Sequence, residues 1–174
     1  MAKLRLMHEL ARFVVDVPDF PQRGILFRDI SKLLREHFPD TVRALDQLFS
    51  AAEWDSFDAV AGIESRGFIL AAALAAQRGK GFVPVRKKGK LPPPVVDMAY
   101  DLEYGAGVIE MQRGTGRLLL IDDVLATGGT LLAAAPLCKL AGYDVTGIGV
   151  LIDIGLIKDF SWQSLPARTV IRYG

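Results

Sequence analysis

Two adjacent carboxylates stand directly before a glycine-containing turn in the middle of the chain. Four apolar residues precede them, and the whole segment is Leu118-Leu119-Leu120-Ile121-Asp122-Asp123-Val124-Leu125-Ala126-Thr127-Gly128-Gly129-Thr130. The apolar run predicts a buried strand of a parallel sheet, because both faces of such a strand are covered. The small residues predict a turn that opens a helix, where backbone N–H groups bind phosphate without a cationic side chain.

The acid pair indicates what accompanies that phosphate. Asp122 and Asp123 would repel a phosphate, but their oxygens accept hydrogen bonds from a sugar diol. Ligands of open α/β sheets bind at the carboxyl ends of the strands, which places the diol beside the phosphate. The segment therefore predicts a cradle for ribose 5-phosphate. The simpler alternative is a solvated acid pair that only stabilises the helix dipole. A Walker phosphate loop is excluded because no lysine follows the glycines.

Two further charged segments follow apolar runs of strand length. Glu64-Ser65-Arg66-Gly67 comes after residues 59–63 and opens an alanine-rich helix, so its N–H groups are placed for a second anion. Arg86-Lys87-Lys88-Gly89-Lys90 comes after residues 82–85 and puts four cations into five residues. The simpler alternatives are an ordinary strand–helix turn and a solvated basic patch.

The elements that position these residues alternate along the chain. Apolar periodicity predicts helices near residues 4–15, 32–37, 41–49, 67–77 and 128–141 and strands near 59–63, 82–85, 118–121, 145–152 and 169–173. Ser31 and Asp40 are the expected N-caps of the second and third helices. The alternation predicts an α/β fold with a central, mostly parallel sheet flanked by helices. Residues 87–112 interrupt it and are typical of a flap or a flexible hairpin.

Composition restricts the class of protein. The chain has 174 residues, 51% hydrophobic and 24% charged, which fits one ordinary globular domain and excludes disorder. A net charge of +1 argues against a nucleic-acid binder. A single cysteine, Cys138, forms no internal disulfide, so we expect a cytoplasmic protein. Two histidines and one cysteine argue against a His/Cys zinc site, and no apolar run is long enough to cross a membrane.

These motifs together resemble the type I phosphoribosyltransferases, and among them the adenine phosphoribosyltransferases. Residues 118–130 are similar to the family's signature for phosphoribosyl diphosphate (PRPP). The narrower resemblance lies in Asp19-Phe20-Pro21 with residues 24–30, Gly62-Ile63-Glu64-Ser65-Arg66-Gly67-Phe68, residues 82–92 and Tyr100-Asp101-Leu102-Glu103-Tyr104-Gly105. The resemblance covers roughly residues 10–150 in consistent order.

The resemblance implies a type I phosphoribosyltransferase fold in one domain over residues 1–174. A hood would occupy residues 1–35 and a flexible flap residues 87–107. The implied reaction is purine salvage: the 5-phosphoribosyl group passes from PRPP to adenine, giving AMP and pyrophosphate. The implied cofactor is Mg²⁺, held mainly through substrate oxygens rather than by a protein metal site. A homodimer is implied as well, with no nucleic-acid or membrane partner.

Roles for individual residues also follow from the resemblance. Glu103 on the flap would be the catalytic acid/base, and a cis peptide bond would join Glu64 to Ser65 in the pyrophosphate loop. Adenine would lie against Leu26, Phe27, Arg28 and Leu125, with the backbone carbonyl near Arg28 accepting from its 6-amino group. The simpler alternative is that residues 25–27 form a core strand. The residues expected to bind PRPP and AMP are Arg66, Lys87, Lys90, Tyr104, Asp122, Asp123, Ala126, Thr127, Gly128, Gly129 and Thr130.

Two other functions stay open at this point. A hypoxanthine or guanine phosphoribosyltransferase would share the chemistry and differ only in the base, although a carbonyl acceptor facing the base would disfavour a 6-oxo group. A PRPP-binding regulator would keep the fold without turnover. Glu103 and Tyr104 on a flap, together with the basic run, favour an enzyme, because a sensor does not need a lid that excludes water.

Overall fold

Strands and helices alternate through the chain, as the sequence predicts. The computed structural model describes residues 2–102 and 105–173, and the side chains of residues 6–100 and 107–173. In chain order the elements are α1 (Ala2–Ala11), β1 (Val15–Pro18), β2 (Leu26–Asp29), α2 (Ser31–Asp46), α3 (Ala51–Ser56), β3 (Ala59–Ile63), α4 (Arg66–Arg78), β4 (Gly81–Lys87), β5 (Val95–Leu102), β6 (Gly105–Gln112), β7 (Gly116–Leu125), α5 (Gly129–Leu140), β8 (Tyr143–Asp153), β9 (Ser161–Trp162) and β10 (Leu165–Arg172).

The main sheet has eight strands in the order β5-β6-β4-β3-β7-β8-β10-β9. Its centre, from β4 to β10, is parallel, whereas β6 pairs antiparallel with β4 and with β5, and β9 pairs antiparallel with β10. The prediction of a mostly parallel α/β sheet is confirmed. The segment over 87–112 contributes β5 and β6, a hairpin that extends one edge of the sheet.

Buried side chains fill both faces of the sheet. Leu119 and Ile121 of β7 pack into a cluster with residues of α2, α3 and α4, and Leu118 and Leu120 pack into a second cluster with residues of α5. All four side chains are completely buried. The strand that carries the acid pair is therefore held from both sides. Among the described residues, no helix has the length and apolar character needed to cross a bilayer.

The N-terminal region forms a small separate sheet. β1 and β2 pair antiparallel, from Val15 opposite Asp29 to Pro18 opposite Leu26. Leu26 is 48% exposed, and β2 has no partner in the main sheet as far as the chain is described. The alternative that residues 25–27 form a core strand is therefore wrong. This hairpin supplies Phe27 and Arg28 to the region that the sequence assigns to a base.

A break at His37 separates two helical parts between residues 31 and 46, close to the two helices that the sequence predicts. Both parts fall within α2 (Ser31–Asp46), which has non-helical backbone angles at His37. Pro39 has no N–H to bond the carbonyl four residues earlier, which explains the kink. Ser31 and Asp40 are not N-caps, because both lie inside α2 and Ile30 is at the N-cap position. The Asp29 carboxylate accepts hydrogen bonds from the backbone N–H and the hydroxyl of Ser31 instead.

Candidate active site

The charged segments meet at one edge of the sheet. β3 and β7 are parallel neighbours with Gly62 opposite Ile121, so Arg66 and Asp123 emerge side by side from the carboxyl ends of their strands. The Arg66 guanidinium lies 2.5 Å from the Asp123 Oδ2 atom in an ion pair. That oxygen is buried and accepts no hydrogen bond from the described residues. An oxygen with unused acceptor capacity thus faces this edge, where α/β sheets bind ligands.

The two aspartates differ in their surroundings. Asp122 is 6% exposed, and its Oδ1 atom accepts the backbone N–H of Asp123 at 2.9 Å. Gly67 leaves room for this carboxyl group, since a Cβ atom there would lie 3.0 Å from Asp122 Oδ1. Burial, and then the neighbouring charge of Asp123, raise the pKa of Asp122 well above its ordinary value.

Arg66 joins the acid pair to the N-terminal hairpin. Its guanidinium donates a hydrogen bond to the carbonyl of Arg28 at 3.2 Å and lies 4.8 Å from the centre of the Phe27 ring. A cavity of about 400 Å³ opens beside these residues. Its lining consists of Val17, Phe20, Phe27, Asp29, Ser31 and Arg66. An aromatic wall with a neighbouring carbonyl and cation suits a flat, neutral heteroaromatic molecule.

The turn after β7 has the geometry of an anion site. Residues 126–128 link β7 to α5, and Gly128 stands at the N-cap position with φ +75°. A Cβ atom on Gly128 would lie 2.7 Å from the Phe160 ring and 3.0 Å from Ile157. None of the described side chains caps α5. The first N–H groups of a helix need acceptors, and a bound anion would supply them here.

The pyrophosphate loop and the basic run are tied together through one carboxylate. The Glu64–Ser65 peptide bond is cis, as the resemblance implies. Glu64 Oε2 accepts hydrogen bonds from the Lys87 backbone N–H at 3.0 Å and from Arg86 Nε at 3.2 Å. Burial alone would raise the pKa of Glu64, but these two hydrogen bonds outweigh it and lower that pKa. The carboxylate of Glu64 thus holds the start of the basic run in place through these hydrogen bonds.

The cations of the basic run fall into two groups. Arg86 is engaged with Glu64 and with the Lys90 carbonyl, and Lys88 Nζ lies 2.5 Å from Asp97. Within the described residues, the side chains of Lys87 and Lys90 form no ion pair. Those two ammonium groups remain available for an anionic ligand. Glu103 and Tyr104 lie outside the described residues.

Sequence reasoning missed the residues that support the hairpin and the turn. The Arg28 guanidinium forms an ion pair with Asp16 and lies 4.0 Å from the centre of the Tyr173 ring. Phe160 packs against Gly128 from the segment after β8. No local pattern marks Tyr173 or Phe160, because both act on partners far away in sequence. Leu26, predicted to contact the base, is not among the residues that line the cavity beside Phe27.

Comparison with known proteins agrees with this site. Residues 36–155 match the phosphoribosyl transferase domain family. The adenine phosphoribosyltransferase of Hydrogenovibrio crunogenus is 51% identical over 95% of this chain and 97% of its own, and that of Bdellovibrio bacteriovorus is 45% identical over 95% and 99%. The crystal structure of the Thermoanaerobacter pseudethanolicus adenine phosphoribosyltransferase superposes with a TM-score of 0.87 at 34% identity, covering 96% of this chain and 99% of that one.

A second solved structure comes from Giardia lamblia and contains 9-deazaadenine. It superposes with a TM-score of 0.85 at 38% identity, and covers 97% of this chain and 98% of that one. The fold and the family predicted from the sequence are confirmed by these comparisons. This chain belongs to the adenine phosphoribosyltransferases, enzymes of purine salvage within the type I phosphoribosyltransferase family.

Proposed function

We propose that this chain carries out the adenine phosphoribosyltransferase reaction at the edge formed by β3, β4 and β7. The carbon–oxygen bond between C1 of the ribose and the pyrophosphate of PRPP breaks, and a bond from C1 to N9 of adenine forms. The proton of N9 is released, and the products are AMP and pyrophosphate. The observation that carries the proposal is the contact of Arg66 with both Asp123 and the hairpin carbonyl of Arg28.

The ribose 5-phosphate part of PRPP would lie between the acid pair and the helix α5. The N–H groups of residues 126–130 would hold the phosphate, since none of the described side chains caps that helix. Asp123 would accept hydrogen bonds from the ribose hydroxyls through its Oδ2 atom, which accepts none from the described residues. Asp122 would orient Asp123 by accepting the hydrogen bond from its backbone N–H. The pyrophosphate would meet Arg66, Lys87 and Lys90.

Adenine would lie beside the hairpin. The Phe27 ring and the Arg66 guanidinium offer flat contact surfaces, and Leu125 closes the end of β7. The Arg28 carbonyl would accept the 6-amino group of the base. A 6-oxo purine would place a second acceptor against that carbonyl, which a buried polar site rejects strongly. Glu103 would take the N9 proton or stabilise the positive charge at C1, and the flap would exclude water.

The donor atoms of this edge suit Mg²⁺ only together with the substrate. Among the described residues, no three His, Cys, Asp or Glu side chains form a cluster that could hold a metal ion. Asp123 offers a carboxylate oxygen that accepts no hydrogen bond from the described residues, and Mg²⁺ prefers one or two carboxylates together with phosphate oxygens and water. Asp123 and PRPP would therefore hold the ion. When bound, Mg²⁺ neutralises charge on the pyrophosphate leaving group.

An exposed apolar surface on α4 and β4 could form the interface of the proposed homodimer. Ile69 on α4 is 44% exposed and Phe82 on β4 is 38% exposed, and Phe82 stacks edge-to-face with Phe68. Pairing of this surface with that of a second copy would bury these side chains. Sedimentation should give about twice the mass of 19.0 kDa, and the change Ile69→Glu should return the monomer. A monomeric parent protein would contradict the dimer.

The compartment and the class of partner are part of the proposal. Cys138 is buried and free, and burial raises the pKa of its thiol to about 12. Such a thiol is inert, which suits a protein of the reducing cytoplasm. The near balance of 21 basic and 20 acidic residues supports small-molecule substrates rather than nucleic acid.

Release of pyrophosphate from PRPP tests the proposal directly. The protein is mixed with PRPP, Mg²⁺ and one of adenine, hypoxanthine or guanine, and pyrophosphate is measured in each mixture. We expect rapid release with adenine and a rate lower by orders of magnitude with the two 6-oxo purines. Faster release with a 6-oxo purine would overturn the assignment of the base. Saturable PRPP binding without turnover on any base would instead indicate a regulator.

A further inference from the structure

Glu110 is a buried carboxylate that lies outside the acid pair. It belongs to β6 and is only 3% exposed. Its Oε1 atom accepts the backbone N–H groups of Lys90 and Leu91, each at 2.7 Å. The backbone N–H groups of this turn, that of Gly89 above all, lower the pKa of Glu110. Within the described residues, no Lys or Arg forms an ion pair with it.

The backbone N–H groups of residues 87, 88, 90 and 91 donate to protein acceptors. Glu64 accepts from Lys87, the carbonyl of Val108 accepts from Lys88 at 2.9 Å, and Glu110 accepts from Lys90 and Leu91. The Arg86 guanidinium also holds the Lys90 carbonyl at 3.2 Å. The whole segment 87–91 is therefore fixed by protein groups, and the Lys87 and Lys90 side chains remain to meet an anion.

We infer that Glu110 is a positioning residue, whose carboxylate fixes the backbone of residues 89–91 and so holds Lys87 and Lys90 for the pyrophosphate of PRPP. A carboxylate that accepts two successive N–H groups occupies the turn as a bound anion would, and it prevents the turn from rearranging around the substrate. A turn that is ordered in advance spares the ordering cost at the moment of binding. This inference rests on the proposed function, which assigns Lys87 and Lys90 to pyrophosphate.

The position of Glu110 in the sheet adds a second link. Its strand β6 pairs with β5 along its whole length, so Glu110 belongs to the hairpin that the sequence assigns to the flap. Arg86 is its partner across the β4–β6 pairing, and Asp97 is its partner across the β5–β6 pairing. The carboxylate thus ties the β5–β6 hairpin to the turn of the basic run.

Steady-state kinetics of the full-length protein tests the inference. The change Glu110→Ala leaves the N–H groups of Lys90 and Leu91 without their acceptor, and we expect the KM for PRPP to rise about tenfold or more. We expect the KM for adenine to stay within about twofold, because the hairpin that holds the base is separate. The change Glu110→Gln keeps one acceptor oxygen and should restore most of the affinity for PRPP, and it also serves where the alanine variant does not fold.

A matched control separates positioning from general stability. Asp58 also accepts a backbone N–H, from Arg117 at 2.8 Å, where β7 begins, away from its carboxyl end. Asp58→Ala should lower the melting temperature and leave the KM for PRPP unchanged. The inference fails if Glu110→Ala behaves like Asp58→Ala and only lowers the melting temperature.

A double variant connects Glu110 to the lysines. Lys90→Ala alone should raise the KM for PRPP, and in the Glu110→Ala protein the same change should add little, because the turn is already displaced. Full additivity of the two effects would overturn the inference while leaving the proposed function in place. Unchanged KM for PRPP in both Lys87→Ala and Lys90→Ala would instead overturn the pyrophosphate assignment on which the inference rests.

Discussion

The Arg66 guanidinium lies 2.5 Å from Asp123 Oδ2 and at the same time donates to the Arg28 carbonyl. Arg66 therefore contacts both the Asp123 carboxylate, which we assign to the ribose, and the Arg28 carbonyl, which we assign to adenine. Under the proposed function, a substrate that bound to either acceptor would compete with Arg66 for it. The guanidinium would then be available to the pyrophosphate, and one side chain would connect the three subsites.

Asp123→Asn should weaken PRPP binding much more than it disturbs the fold. The amide has one acceptor oxygen where the carboxylate has two, and the charge that faces Arg66 is lost. We expect the Kd for PRPP to rise about tenfold or more, as is usual when a charged hydrogen-bond partner is removed. Titration calorimetry measures the Kd, and urea unfolding shows the change in stability. Equal affinity in the two proteins would remove the acid pair from the site.

Asp122→Asn should make the protein more stable at neutral pH. Burial and the charge of Asp123 raise the pKa of Asp122 in the folded state, whereas in the unfolded chain it has its ordinary value of 3.8. Above pH 3.8 the ionisation of Asp122 therefore favours the unfolded chain, and the folded protein loses stability as the pH rises. Asparagine does not ionise, and its amide oxygen still accepts from the Asp123 N–H. The melting temperature of the variant should exceed that of the parent at about pH 7, and the difference should disappear below pH 3.8. A difference that is constant with pH would contradict this account.

Gly128→Ala should cost stability and PRPP affinity together. The residue has φ +75°, and its new methyl group would lie 2.7 Å from the Phe160 ring. Left-handed backbone alone costs about 1–2 kcal/mol for a residue with a side chain, and the contact adds to it. Urea unfolding and the KM for PRPP are the measurements.

Gly79→Ala is the control for that change. Gly79 has φ +62° at the end of α4, but no described atom lies within 4 Å of the place that a Cβ atom would take there. The backbone cost should therefore be similar, about 1 kcal/mol, while the KM for PRPP stays the same. If both variants lose PRPP affinity equally, the contact between Gly128 and Phe160 has no part in phosphate binding.

Glu103→Gln should lower turnover with little loss of binding. If this carboxylate takes the N9 proton of adenine, its amide removes the base but keeps the shape, and kcat should fall by about a hundredfold. The KM values for adenine and PRPP should change by less than about threefold, because a residue that acts only in the transition state lowers kcat alone. Unchanged kcat would show that Glu103 takes no part in the chemistry.

The sequence predicts best those parts of the fold whose characteristic residues follow one another along the chain. Residues 118–130 hold strand, acids, turn and helix start without interruption, and β7 and α5 form as expected. Gly79 ends α4 in the left-handed conformation that glycine favours directly after a helix. The break that the sequence predicts between two helices near residue 37 is also present, as non-helical backbone at His37 just before Pro39.

The remaining features depend on distant parts of the chain. Arg28 reaches Tyr173, and Arg78 pairs with Asp46 at 2.6 Å, which no local window contains. Successive strand residues face opposite sides of the sheet, but only the fold shows that Asp122 is the one that packs against Gly67. Glu110 is one acidic residue in an alternating strand, and only the fold shows that it holds the turn at 89–91.

Phe160 and Ile157, which pack against Gly128, come after residue 155, where the match to the phosphoribosyl transferase domain ends. The residues that shape the turn at Gly128 therefore extend beyond the segment that matches the domain family. A chimera that grafted residues 36–155 into another scaffold would carry the phosphate turn and still lose the wall behind it. Engineering of this protein has to keep residues 157–160 with the turn that they shape.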